Sequence, residues 1–93
     1  MARLSEAQIQ QELSQLPHWR REGEAIVREV RCADFKEALL LINAVGHFAE
    51  KANHHPEIHN VYRHVTFRLS THDAGGLTEK DFALARQIDA LLE

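Results

Sequence analysis

Two imidazoles side by side, closed off by a proline, form the chain's most chemically pointed element: His54-His55-Pro56. A third, in Thr71-His72-Asp73, ends a later stretch of alternating apolar and polar residues. Imidazole is the one side chain whose unperturbed pKa, about 6.5, lets it give or take a proton near neutral pH. Three such groups converging on one pocket would suit proton-transfer catalysis. Histidines are frequent in this chain, seven in 93 residues, but His18, His47, His59 and His64 carry no separate case.

Each candidate has a plainer reading beside the chemical one. His54 and His55 also suit solvated loop positions, and His54 suits a hydrogen bond to the last carbonyls of a preceding helix. Pro56 restricts the backbone before it, so the two rings are held in defined and different directions. A metal site competes, because His55 and His59 are four apart and would share one face of a helix. Pro56 and an extended backbone spoil that geometry, and the further Cys or acidic ligands of a structural zinc site are missing, so no metal ligand is expected. His72 suits a surface position of no consequence, or a site residue beside Gly75-Gly76, where glycine lets another group come close. Asp81 suits the first turn of a helix through the dipole, or a pocket wall if that end faces the histidines. Glu50, four residues before His54, suits a solvated carboxylate or a group that orients an imidazole. No phosphate cradle, nucleophile elbow or Ser/His/Asp arrangement is present.

The elements that must position these residues follow from periodicity and punctuation. Ser5 and Gln8 have capping-box spacing, and Leu4 with Ile9 would form a hydrophobic staple. Ile9, Leu13 and Leu16 continue one face of a short helix that Pro17 stops. A hairpin is predicted, with 18–22 pairing to 25–32 around Glu22-Gly23-Glu24. In it Ile26, Val30 and Cys32 share a face on which Arg28 is the exception. Asp34 to Glu37 reads as a second capping box opening a helix to about residue 52. Phe35, Leu39, Ile42, Val45 and Ala49 form its stripe. Leu41, Phe48, Ala52 and Leu40 widen that stripe beyond what one sheet face needs, which points to a helix used also in oligomer packing. A short strand 57–59, a turn 60–63 and a strand 64–71 follow, with Val65, Phe67 and Leu69 facing the core. After the loop 73–76, Thr78 has N-cap spacing for a last helix that buries Leu84, Ala85, Ile88, Leu91 and Leu92. The expected fold class is α+β, with element order α-β-β-α-β-β-α and a four-stranded antiparallel sheet carrying helices on one face.

Composition narrows the function classes. The chain reads as one domain, 1–93, with ordinary apolar and charged content. Its eleven Lys and Arg are scattered and its formal net charge is −3, so no direct nucleic-acid binding is expected. Cys32 is the only cysteine, which excludes an internal disulfide; a buried, inert thiol in a cytoplasmic setting is expected. No apolar run approaches eighteen residues and no basic-then-apolar leader stands at the start, so neither a membrane span nor a secretory signal is expected. Trp19 reads as a core or interface anchor.

Four segments together resemble the pterin-4a-carbinolamine dehydratase family. They are Glu50-Lys51-Ala52-Asn53-His54-His55-Pro56-Glu57, Asn60-Val61-Tyr62, Leu69-Ser70-Thr71-His72-Asp73 and Gly76-Leu77-Thr78-Glu79-Lys80-Asp81. The similarity extends back through Trp19 and Asp34-Phe35. The resemblance implies three helices on one side of a four-stranded antiparallel sheet, assembled as homodimers or homotetramers. It implies that His54, His55 and His72 are catalytic and that Asn53 and Ser70, Thr71, His72 and Asp73 contact the pterin. Glu50, Pro56 and Asp81 are implied as supporting residues. The implied reaction dehydrates 4a-hydroxytetrahydropterin to quinonoid dihydropterin, recycling the cofactor of aromatic amino acid hydroxylases, with no metal or redox cofactor. One departure is visible: Ile58 stands where many members have an aromatic residue, which implies a difference in pterin stacking or in packing beneath the pocket. The alternative is an interaction module, since animal relatives bind a transcription factor's dimerisation helices and the apolar helix 34–52 suits such a role. A third reading, a metal-binding histidine protein, predicts retained zinc or nickel.

Overall fold

The computed structural model describes residues 2–93. Three helices and four strands follow in the order α1 (Glu6–Leu13), β1 (Arg20–Glu22), β2 (Ala25–Arg31), α2 (Phe35–Ala52), β3 (Glu57–Val61), β4 (His64–Leu69) and α3 (Glu79–Leu91). A 3-10 turn, His72–Ala74, lies between β4 and α3. The sheet is antiparallel throughout, in the order β1-β2-β4-β3. Two local hairpins are therefore zipped along β2 and β4, and α2 links them.

One face of the sheet carries the core. Ile26 lies opposite Leu69 and Val30 opposite Val65, and these side chains join Ile9, Val45, Phe82, Leu84 and Ile88 from the helices in one apolar cluster. The other face is polar, as an antiparallel sheet open to water on one side allows. Val27, like Ala25 beside it on that face, is buried. It is only 2% exposed, lying between its cross-strand partners Arg20 and Arg68, whose aliphatic stems can cover it.

Arg28, out of place among apolar neighbours in sequence, is paired beneath the sheet. Its guanidinium donates to Asp89 Oδ1 on α3, and Trp19 Nε1 donates to the same oxygen at 2.8 Å. Trp19 is thus a core anchor, 5% exposed. Asp89 ties β2, α3 and the segment before β1 together through one carboxylate.

Helix ends follow the expected chemistry with one difference. Ser5 and Gln8 form a reciprocal capping box, as do Thr78 and Asp81. At α2 only half the box forms: Asp34 accepts from the Glu37 N–H at 2.8 Å. The Glu37 side chain does not return to the cap. The α2 stripe also divides. Val45 and Ala49 are buried together with Ala38, while Phe35 (46% exposed), Leu39 (41%) and Leu40 (55%) remain uncovered. Small residues let α2 sit close to the sheet, with Ala38 already covered in its first turn, while the Phe35, Leu39 and Leu40 side chains lie off the covered face. On α3, Leu91 is 40% exposed, and the unforeseen Phe82 fills the core in the first turns.

Strand limits differ where side chains compete for the backbone. β1 is shorter than expected because Trp19 turns into the core. β3 runs on to Val61, since the Asn60 amide caps Tyr62 O and His64 O at 3.1 Å instead of breaking the ladder. That leaves a two-residue turn in which Tyr62 adopts φ 53°, matching Gly23 at 59° in the other hairpin. A non-glycine residue there costs about 1–2 kcal/mol, and the Arg63 bonds to Cys32 O and Ala33 O help hold it. β4 ends at Leu69 because Ser70 Oγ donates to Glu24 O at 2.7 Å and Thr71 pairs with Gly76.

Cys32 is half-buried, and burial, followed by the nearby Glu37 and Asp34 charges, pushes its thiol above the ordinary range. Little thiolate is present at neutral pH. Iodoacetamide should therefore modify it more slowly than a free cysteine peptide, with the rate still climbing where the peptide's has levelled off. Replacing Asp89 by Ala strands a cation and an indole N–H. Urea unfolding should show a loss of about 2–4 kcal/mol.

Candidate active site

The end of α2 sets the two adjacent imidazoles apart. Asn53 takes the left-handed conformation, φ 51°, one that asparagine tolerates better than most residues. Its N–H reaches Glu50 O at 3.1 Å and the His54 N–H reaches Ala49 O at 3.0 Å, the Schellman pattern of helix termination. With the backbone reversed there, His54 turns inward, 8% exposed, while His55 stays outside with its side chain 57% exposed. Pro56 follows, half-buried, at the entry to β3.

His54 meets α3. Its Nε2 lies 2.6 Å from Asp81 Oδ1, and Asp81 is fully buried. The other carboxylate oxygen, Oδ2, accepts from Thr71 Oγ1 at 2.8 Å and from the Thr78 N–H at 2.9 Å. The Thr71 and Thr78 hydroxyls are 2.7 Å apart. Asp81 therefore serves the helix as expected and also faces the histidines. Its carboxylate joins the exit of α2, the segment after β4 and the start of α3.

Glu50 engages a different ring from the one its spacing suggests. Its carboxylate lies 2.6 Å from His55 Nε2, not at His54. The reason is the reversal at Asn53, which brings His55 back over the last turn of α2 and sends His54 beneath. His72 and Asp73, at the start of the 3-10 turn, are exposed. Among the described residues neither side chain makes a hydrogen bond within the chain, so Asp73 does not hold the His72 imidazole. The Thr71–Asp81–His54 contacts nevertheless fix the residue before His72 to the element that carries His54.

Close approach at Gly76 is real, and the approaching groups belong to this chain: a Cβ there would collide with the Glu24 carboxylate and the Arg3 stem. Arg3 also donates to Gly75 O at 3.3 Å. Sequence reasoning missed these two residues, and no local pattern marks them. It also missed the second role of Thr78, whose N-cap spacing was legible but whose contact with Thr71 was not. Ser70 is held to Glu24 O through its hydroxyl. Ile58 lies on the edge strand opposite Phe67, on the helix side of the sheet and 37% exposed. A hollow of about 510 Å³ lies elsewhere, lined among others by Cys32, Asp34, Leu40 and Leu91. It shares no residue with the histidine cluster, and chemistry rather than volume marks the site.

The arrangement holds one imidazole by a buried carboxylate, pairs a second with an exposed carboxylate and leaves a third open to solvent. Acid–base catalysis asks for groups of this type positioned within reach of the proton they move. Among the described residues no cluster of His, Cys, Asp and Glu has the form of a metal site, and no helix is long and apolar enough to cross a membrane.

Comparisons with known proteins point to one group. A protein of Chloroflexus aurantiacus, provisionally named pterin-4-alpha-carbinolamine dehydratase, is 51% identical over 92 residues, covering 99% of each chain. One of Chloroflexus aggregans with the same provisional name is 53% identical over 93 residues, again covering 99% of each. The crystal structure of a transcriptional coactivator/pterin dehydratase from Brucella melitensis superposes with a TM-score of 0.91 at 37% identity, covering 95% of this chain and 96% of that one. A pterin dehydratase-like protein described as a RuBisCO assembly factor of the alpha-carboxysome shares the fold, with a TM-score of 0.67 at 22% identity over 78% of this chain and 87% of its own. The family model described as pterin 4 alpha carbinolamine dehydratase matches residues 2–91, and this chain belongs to that family.

Proposed function

We propose that this chain is a hydro-lyase that dehydrates 4a-hydroxytetrahydropterin to quinonoid dihydropterin by histidine acid–base catalysis. The observation that carries the reading is the buried His54–Asp81 contact at 2.6 Å, within a family whose relatives bear the dehydratase name.

The chemistry asks for two proton movements. The C4a–O bond breaks as the hydroxyl takes a proton and leaves as water. The N5–H proton is lost, and its electron pair forms the C4a=N5 bond. Atoms and charge balance with one acid and one base. Each well-positioned group of this kind contributes about 10²–10⁴-fold. His54 and His72 share this work, and His55 binds and orients the pterin. The division rests on the contacts described above. The carboxylate of Asp81 fixes the His54 ring through Nε2. The His72 ring, with no partner among the described residues, is available to substrate. The His55–Glu50 pair, exposed on both sides, offers a donor and an acceptor to the polar edge of a pterin. Asn53, Ser70 and Asp73 supply the remaining pocket contacts in this reading, while the Thr71 hydroxyl is given to Asp81.

Self-association belongs to the same proposal. Phe35, Leu39 and Leu40 on α2, with Ile58, Val61 and Tyr62 on the edge hairpin, leave apolar surface uncovered, and β3 has a free ladder edge. A homodimer or homotetramer would cover these surfaces. The alternative, a non-catalytic interaction module, draws on the same α2 surface and on the coactivator named for the Brucella melitensis structure.

A stopped assay of carbinolamine dehydration separates the readings. Wild type should accelerate the pterin absorbance change at catalytic concentration, and His54→Ala and His72→Ala should each lower kcat by about 10²-fold or more. His55→Ala should chiefly raise KM. A wild-type chain without any effect on the absorbance would favour the interaction module. Full turnover in His72→Ala, with activity abolished only by His55→Ala, would overturn the division of roles.

A further inference from the structure

We propose that the hydroxyl pair Thr71–Thr78 is a positioning device: it locks the Asp81 carboxylate in one orientation and thereby holds His54 as its Nε2–H tautomer, leaving Nδ1 as the ring's proton acceptor. The functional consequence rests on the dehydratase reading above; the device itself does not.

The direction of every proton in the network follows from its two ends. The Lys80 N–H can only donate, and it reaches Thr78 Oγ1 at 3.3 Å. A carboxylate accepts, and Asp81 Oδ2 lies 2.8 Å from Thr71 Oγ1. A hydroxyl has one proton. Thr71 gives its proton to Asp81, so the 2.7 Å contact between the hydroxyls must carry the proton of Thr78 toward Thr71. The chain of donors thus runs from the Lys80 amide through Thr78 and Thr71 to Asp81, and its successive bonds polarise one another in a site where Thr78 and Asp81 are 0% exposed.

With Oδ2 saturated by Thr71 and the Thr78 N–H, Oδ1 is left for His54 Nε2 at 2.6 Å. A carboxylate there requires the ring proton on Nε2, because the hydrogen bond of one ring nitrogen sets the state of the other. Among the described residues every buried side-chain nitrogen and oxygen has a partner. Nδ1 of His54 has none among the described residues, so Nδ1 is the ring atom that reaches solvent. Without the Thr71 hydroxyl, Oδ2 keeps a single donor and the carboxylate is free to turn about its Cβ–Cγ bond. The ring then loses its fixed partner. Thr71 and Thr78 act through Asp81 and His54, and neither needs to touch the substrate to do so.

Proton and nitrogen NMR of the imidazole decides the matter without turnover. Wild type should show a downfield, exchange-protected ring proton bound to His54 Nε2, with Nδ1 unprotonated. Thr71→Val should lose or broaden that signal and lower kcat by about tenfold or more at nearly unchanged KM, and Thr71→Ser should restore both. Thr71→Ala takes its place if the valine variant does not fold. A proton on Nδ1 in wild type overturns the proposal, as does a Thr71→Val variant that keeps the protected proton. A protected Nε2–H in a wild-type chain devoid of dehydratase activity would leave the device standing while the function proposed above falls.

Discussion

Asp81 is the constraint on which the rest of the site depends. A carboxylate removed from water is costly unless its lone pairs are met, and Asp81, 0% exposed, is met by His54, Thr71 and the Thr78 N–H. Those three partners come from different parts of the chain. Satisfying one buried charge therefore brings together the exit of α2, the segment after β4 and the start of α3. Asp89 does similar work at the other end of α3, where Arg28 and Trp19 share its oxygen. The last helix is pinned at both ends by acidic residues whose partners lie in other elements.

Most of the fold was legible because it rests on local rules. The capping boxes at Ser5 and Thr78, the alternation of Val65, Phe67 and Leu69 and the proline after His55 each state their meaning within a few residues. Boundaries failed where a side chain bonded at a distance: Ser70 left its strand for Glu24 O, and Asn60 stayed in its strand by capping the turn beyond it. Helical periodicity showed that α2 has an apolar surplus but not which part of it the sheet would cover. Burial reached Ala38, Val45 and Ala49 and left Phe35 and Leu39 exposed.

For the site, residue types were legible and pairings were not. Spacing along a helix suggested Glu50 for His54, but the left-handed turn at Asn53 assigned Glu50 to His55 and opened the other ring toward α3. A contact between positions 27 apart in sequence, such as His54 with Asp81, has no periodic signature. Thr78 shows the same limit: its capping role is written in the tetrad that follows it, while its hydroxyl partner depends on how β4 ends.

The seam between the two hairpins carries a consequence for how the chain matures. β1–β2 and β3–β4 each close through a two-residue turn and need only nearby residues, whereas β2 against β4 joins segments on either side of α2. Pairing across that separation must meet the loop-closure entropy before its own contacts form, a cost the local hairpins largely avoid. The Ser70–Glu24 bond spans 46 positions along the chain and exists only after the seam has closed. The histidine cluster, whose contacts join the exit of α2, the segment after β4 and the start of α3, thus depends on this seam and not on either hairpin alone.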